Sequence, residues 1–275
     1  MLAARDACVA NGTLRHTHYI LPLLPKPLEP MRPIANQTLI HADSLRWMLD
    51  QPDTNQFDVV VADPPYCAAT RGGRVGQSSA TKYTSTDAKR QFVPFDGDQR
   101  GFQLWTSQWS GAAYRLTREG GALLAFIDYR NVAAMVDAIQ AGGWCYDGVI
   151  PWLKSRGRPR LGWYQTSQSE FIVVGRKGAT DRTQRRCGPA YVQSPAPTKR
   201  VHPTQKPVEV ITSLLEFRSD WRRILDPFGG SATTAAAAMQ LGRQATVIES
   251  NAEYYRLACE RIRSAEVKPQ LRVAA

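Results

Sequence analysis

The chain has 275 residues, 43% of them hydrophobic, and a formal net charge of +11 from 35 basic and 24 acidic side chains. That is enough apolar material for one full α/β core. No apolar run approaches the roughly 18 residues that a membrane-spanning helix requires, and the N-terminus lacks a signal-peptide pattern, so a cytoplasmic protein with no membrane partner is expected. Cys8, Cys67, Cys145, Cys187 and Cys259 are scattered without a C-x-x-C pair, which argues against both a disulfide framework and a zinc site. His16 and His18 form a lone H-x-H in a proline-rich leader and read as incidental, so no metal is expected.

Residues 1–35 show no periodicity and are expected to be a flexible leader. Residues 38–42 read as a strand and 44–49 as a short helix. The run Phe57-Asp58-Val59-Val60-Val61-Ala62 is β-branched and short, the pattern of a fully buried strand. From Cys67 to Leu104 the chain is rich in Ser, Thr, Gly and charge, a long loop suited to closing over a substrate. A helix is expected over 105–116, a buried strand over 122–127, and a helix over 131–141 ended by Gly142-Gly143. Residues 146–153 and 170–174 form a predicted strand pair joined by a loop, 154–168, and 180–200 reads as a polar linker.

Near the C-terminus, residues 222–226 suggest a strand, Pro227 to Gly230 a tight turn, and 231–241 a helix with Ser231 placed to cap it. A strand over 245–249 and a helix over 251–263 follow, then a tail over 266–275. This is a β-α-β unit with glycines in its first turn and the carboxylate of Glu249 about 20 residues on, an arrangement that binds adenosine ribose. An NAD site shares these features, but the spacing departs from G-x-G-x-x-G.

Asp63-Pro64-Pro65-Tyr66 ends the first buried strand, and the carboxyl ends of strands are where open α/β sheets bind ligands. The prolines fix φ and remove two N–H donors, so the chain there is stiff and offers carbonyl oxygens. The set suits an exocyclic amine of adenine or cytosine, whose lone pair is delocalised into the ring. Two acceptors gripping its hydrogens, Asp63 and the carbonyl of Pro64, would draw that lone pair back onto nitrogen. Tyr66 supplies a π-face for an extruded base.

With both segments in view, the chain resembles the β-class amino DNA methyltransferases that use S-adenosylmethionine, over roughly residues 36 to 265. Asp226-Pro227-Phe228-Gly229-Gly230-Ser231-Ala232-Thr233-Thr234 looks like that family's cofactor loop, and Glu249 matches its ribose-binding acid. His202-Pro203-Thr204-Gln205-Lys206-Pro207 looks like the motif beside the methionine part of the cofactor, and the strand ending at Asp43 like the one approaching its adenine. The resemblance thus implies cofactor contacts from Asp43, Thr204, Lys206, Asp226, Phe228, Gly230, Ser231, Thr233 and Glu249. Alanine stands at 232 where the family usually has glycine, so its methyl is expected to crowd the cofactor.

The implied fold is a three-layer Rossmann-like α/β domain spanning 36–265. Its seven-stranded sheet would be largely parallel with one antiparallel member, circularly permuted so that the catalytic motif precedes the cofactor motif. The implied activity is site-specific methylation of a flipped base in double-stranded DNA, as in restriction–modification. An aspartate at the head of the tetrapeptide resembles the adenine-N6 enzymes, whereas cytosine-N4 relatives more often carry serine. Cytosine-N4 or RNA methylation, and an inactive nucleic-acid-binding protein of the same fold, are the alternatives.

Residues 151–206 hold twelve basic against two acidic side chains, a net +10. A basic segment rich in Gly, Pro, Gln, Trp and Tyr fits a phosphate-gripping surface. Lys154, Arg156, Arg158 and Arg160 are its expected DNA contacts, implying nucleoid association; a homodimer is compatible with these features.

Overall fold

The computed structural model describes residues 34, 36–67, 99–154, 168–180, 183, 186–195 and 206–266. The leader apart from Ile34, most of the expected substrate loop, the loop bearing Arg156, Arg158 and Arg160, and the C-terminal tail after Glu266 lie outside the described residues. In chain order the elements are β1 (Thr38–His41), α1 (Ser44–Asp50), β2 (Phe57–Ala62), α2 (Gln99–Leu116), β3 (Thr117–Ile127), α3 (Val132–Ala141), β4 (Cys145–Lys154) and β5 (Ser169–Arg176). They continue with β6 (Val192–Ser194), α4 (Val208–Leu215), β7 (Arg223–Asp226), α5 (Thr233–Gln240), β8 (Gln244–Glu249) and α6 (Ala252–Glu266).

The described strands form one eight-stranded sheet in the order β1-β8-β7-β2-β3-β5-β4-β6. Only β5 runs against its neighbours β3 and β4; every other pairing is parallel. The single reversed strand agrees with expectation, and β7 docks beside β2 at the centre of the sheet. Val59 lies against Ile224 and Val60 against Leu225 there.

β2 alternates between two apolar layers, as the period-2 geometry of a strand requires. Val59 and Val61 pack with Ile211 and Leu214 of α4, Ala235 and Ala238 of α5 and Ile262 of α6, whereas Val60 and Ala62 pack with Met48 of α1, Trp109 of α2 and Met135 of α3. Helices on both faces complete the three layers. They also explain the nearly unbroken hydrophobic run of β2, since a central parallel strand has no wet side.

Three expectations change. The sheet has an eighth strand because β6 lies within the expected linker, where Val192 pairs with Trp152 of β4; Val-Gln-Ser is too short and polar to announce a strand. Helix α2 begins at Gln99 rather than at Trp105. Phe102, fully buried, continues the stripe of Thr106, Trp109, Ala113 and Leu116 by one more turn, which Gly101 and the flanking polar residues disguised. Ser231 does not cap α5: the N-cap position is Ala232, in the left-handed region at φ 57°, ψ 42°, with no side-chain cap bond.

Candidate active site

Because β1, β8, β7 and β2 run in one direction, Asp43, Glu249, Asp226 and Asp63 emerge at the same edge of the sheet. The reversal of β5 brings that strand's beginning, with Glu170, to the edge as well. Asp63 and Asp226 follow or end adjacent central strands, so the tetrapeptide and the glycine turn are neighbours.

Asp63 is partly buried and held from two sides. Lys206 Nζ lies 2.6 Å from Oδ2, and the Tyr66 hydroxyl donates to Oδ1 at 2.9 Å. The same hydroxyl lies 3.3 Å from Glu170 Oε2, while Lys154 Nζ donates to Glu170 Oε1 at 2.6 Å. Lys206 also approaches Glu170 at 3.4 Å and sits over the rings of Tyr66 and Phe126, 5.4 Å from each centroid. Two ammonium groups and two carboxylates therefore interlock in a low-dielectric corner.

Burial pushes the Asp63 carboxyl up, the Lys206 charge opposes the shift, the Glu170 charge adds to it, and the net direction is upward. For Glu170 burial also acts upward, but the charges of Lys206 and Lys154 outweigh it and hold the carboxyl low. Burial would lower Lys206, yet Asp63 and Glu170 raise it, so the ammonium stays charged.

The turn after β7 forms the second half of the site. Asp226 is buried and accepts from the amide of Phe228 at 2.9 Å. Glu249, ending β8, accepts from the amides of Gly230 at 2.8 Å and Asn251 at 2.7 Å. Burial pushes Asp226 up to about 7, opposed by hydrogen bonds from Thr234 and Phe228 and aided by the charges of Asp63 and Glu249. Burial also raises Glu249, against its backbone hydrogen bonds.

At Gly229 a Cβ would come within 2.3 Å of Val247, so the turn presses directly on β8; at Gly230, φ 49°, a Cβ would meet open space. An open glycine corner between two carboxylates suits a ligand that presents hydroxyl and ammonium donors. Phe228 forms the turn's aromatic wall with Trp105 and Trp109, ring centroids 5.4 and 5.2 Å away.

The other residues singled out in the sequence make the following contacts within the chain. Ala232 is fully buried in the apolar layer of α4 to α6, so its methyl meets the core instead of crowding a ligand. Asp43 caps α1, accepting from the Arg46 amide at 2.9 Å. Lys206, expected at the cofactor, pairs with Asp63, and Lys154, expected on DNA, pairs with Glu170. Pro64 is buried, and Pro65 and Tyr66 are partly so. Thr204 lies outside the described residues.

Two participants carry no motif. Glu170 was legible only as an acid opening a strand inside a strongly basic stretch. Arg261 of α6 donates to the Ser231 carbonyl at 2.7 Å, to its hydroxyl at 3.1 Å and to the Thr233 hydroxyl at 3.2 Å, bracing the glycine turn; nothing local in the sequence marks it. Cys67 is buried among apolar side chains, and its carbonyl accepts from the Asn131 side chain at 3.1 Å, which ties the chain after the tetrapeptide to the start of α3.

A strand-end Asp-Pro-Pro-Tyr beside a carboxylate-flanked glycine turn defines a class of group-transfer site, and the chain's relatives agree with it. Residues 57–260 match the N6/N4 DNA methylase family, to which the chain belongs. It is 27% identical over 256 residues to the type II methyltransferase M2.LlaDCHI of Lactococcus lactis subsp. cremoris, covering 82% of this chain and 89% of the relative. TTHA0409 of Thermus thermophilus, solved with S-adenosyl-L-methionine, shares the fold with a TM-score of 0.62 at 21% identity, covering 84% of this chain and 95% of that one. The cytosine-N4-specific PvuII DNA methyltransferase does so with a TM-score of 0.62 at 15% identity, covering 86% and 93%.

Proposed function

We propose that this chain is an adenine-N6 DNA methyltransferase that uses S-adenosyl-L-methionine and acts on double-stranded DNA at a specific site. The observation that carries the choice of base is the aspartate heading the tetrapeptide, at the end of a central strand and next to the glycine turn. When bound, the cofactor supplies an electrophilic methyl group on its sulfonium. Glu249 and Asp226 are the acceptors for its ribose hydroxyls and ammonium, Gly230 leaves room for it, and Phe228 walls it.

Asp63 and the Pro64 carbonyl take the two amine hydrogens of the base, turning the nitrogen lone pair outward, and Asp63 holds the proton released on methylation. Tyr66 stacks on the base, which must leave the duplex to reach this corner. Positioning supplies much of the acceleration, since oriented intramolecular reactions reach effective molarities of ~10⁵ M or more. Arg156, Arg158 and Arg160 grip phosphates.

Transfer of labelled methyl groups to duplex DNA, followed by nucleoside analysis, tests this reading. N6-methyladenine is the expected product; N4-methylcytosine would overturn the base assignment. Asp63→Ala should lose transfer while keeping cofactor affinity, and Asn at that position should retain more activity than Ala. Near-normal turnover by the Ala variant would remove the tetrapeptide from the mechanism.

A further inference from the structure

Glu170 is a partly buried acid to which the chemistry at Asp63 assigns no part. It stands second in β5, paired in register with Trp152 of β4, and reaches the active edge only because β5 is reversed. Its side chain is 18% exposed and that of Lys206 8%. Lys206 lies between two carboxylates at unequal distances, 2.6 Å from Asp63 and 3.4 Å from Glu170, and the Tyr66 hydroxyl spans the same two groups.

This arrangement answers a mechanical difficulty. The ammonium that orients Asp63 also occupies Oδ2, an oxygen the base amine could use. To free it Lys206 must move, and a buried ammonium cannot leave one carboxylate unless another receives it, because an unpaired buried charge is strongly disfavoured. Glu170 is that second acceptor, already within reach. Lys154 balances the other oxygen of Glu170, so the four-group cluster stays neutral wherever Lys206 rests.

We propose that Glu170 is a positioning residue for methyl transfer: it holds Lys206 between two carboxylates, aligning Asp63 before the base arrives and receiving Lys206 when the amine docks. The inference rests on Asp63 being the amine acceptor. The charged and titratable groups around Asp63 come from five directions: Tyr66 after β2, Lys206 ahead of α4, Glu170 of β5, Lys154 of β4 through Glu170, and Asp226 of β7.

The test is single-turnover methyl transfer to saturating duplex DNA across a pH series, with S-adenosyl-L-methionine affinity measured by calorimetry. Glu170→Gln should lower the rate on the order of 10- to 100-fold, the scale of a small misplacement of a reacting group, with cofactor affinity unchanged. Its acid limb should move to lower pH, because a negative charge that opposes ionisation of Asp63 is gone and Lys206 is left to Asp63 alone. Glu170→Asp, which keeps the charge, should recover part of the rate.

Lys154→Gln should move the acid limb the other way, since an unbalanced Glu170 draws Lys206 from Asp63. This second variant decides the matter if Glu170→Gln fails to fold. Wild-type rates, or lower rates with unmoved acid limbs, would overturn the proposal. Asp63→Ala in parallel separates the two readings. If it stays active, Asp63 is not the amine acceptor and both readings fall; if it is dead while the Glu170 and Lys154 variants show unmoved acid limbs, only this one does.

Discussion

Asp58 in β2 accepts hydrogen bonds from the backbone amides of Arg222 and Arg223, at 2.9 and 2.7 Å, where the chain enters β7. One carboxylate thus ties the start of the strand that carries Asp63 to the start of the strand that carries Asp226, and sets how far apart the two halves of the site emerge. The guanidinium groups of Arg118, at 2.7 Å, and Arg223, at 3.2 Å, complete its shell. Arg118 extends the network to Asp220, which Arg218 also holds.

Asp58→Asn puts an amide hydrogen against donors that need an acceptor and leaves arginines uncompensated. It should cost about 3 kcal/mol of stability, the scale for breaking a buried charged pair, read by chemical denaturation. Acid should act on the same cluster. Burial works to raise Asp58, but the hydrogen bonds from Arg223, Arg118 and Arg222 outweigh it and hold its carboxyl low. Asp220 is lowered to about 2, chiefly by its hydrogen bond from Arg218. Such groups contribute stability fully above the unfolded value of about 3.9 and lose it as pH falls toward the folded one. Denaturant midpoints should drop from about pH 5 downward, and Asp220→Asn should flatten the drop.

Asp226 acts with the opposite sign. Its carboxyl titrates near 7 in the fold, mainly through burial, and near 3.9 in the unfolded chain. The folded state therefore keeps a proton the unfolded state has released, and stability should decline as pH rises from about 4 to about 7. Asp226→Asn keeps an oxygen for the Phe228 amide and removes the charge, so without cofactor it should be more stable than wild type at pH 8, by on the order of 1 to 3 kcal/mol. Calorimetry should show weaker S-adenosyl-L-methionine binding by the same variant. A destabilised Asn variant would mean that the buried charge is compensated after all.

Ala232 pits backbone against packing. An L-residue in the left-handed region loses roughly 1 kcal/mol, while its buried methyl group returns about 0.8 kcal/mol and alanine saves a further 0.5 kcal/mol or so of unfolded-state entropy over glycine. Ala232→Gly should thus shift stability by less than about 1 kcal/mol. Ala232→Val adds a β-branch where the backbone excludes it and volume where the core is full, and should cost more than about 2 kcal/mol. Thermal melts distinguish the pair.

Replacing Arg156, Arg158 and Arg160 together by Gln should weaken DNA binding for every sequence tested. It should flatten the slope of log affinity against log salt by about 0.9 per lost phosphate contact, up to roughly 2.7. Cofactor affinity should be unaffected, because these arginines lie outside the β7-α5-β8 unit. Wild-type salt dependence would show that the charge there is solubilising surface.

The elements legible from residues alone were those whose signal is local. Val59-Val60-Val61 needs no partner to read as a buried central strand, and Asp226 to Thr234 reads as a strand, turn and helix from its own glycines and alanines. Even there the cap was misplaced, because Ala232 holds the N-cap position in a left-handed backbone that alanine does not prefer and its sequence therefore does not announce. What required the tertiary structure was the pairing of side chains carried by different strands and helices. Glu170 reaches the corner of Asp63 only because β5, alone among the described strands, is reversed. Lys206 pairs with a carboxylate 143 positions away, a partner its motif did not announce, and Arg261 braces a turn from a helix whose sequence shows only amphipathic spacing. Local patterns report how a segment satisfies its own backbone and apolar face. A buried charge is satisfied by whichever partner the fold delivers, and no spacing along the chain records that.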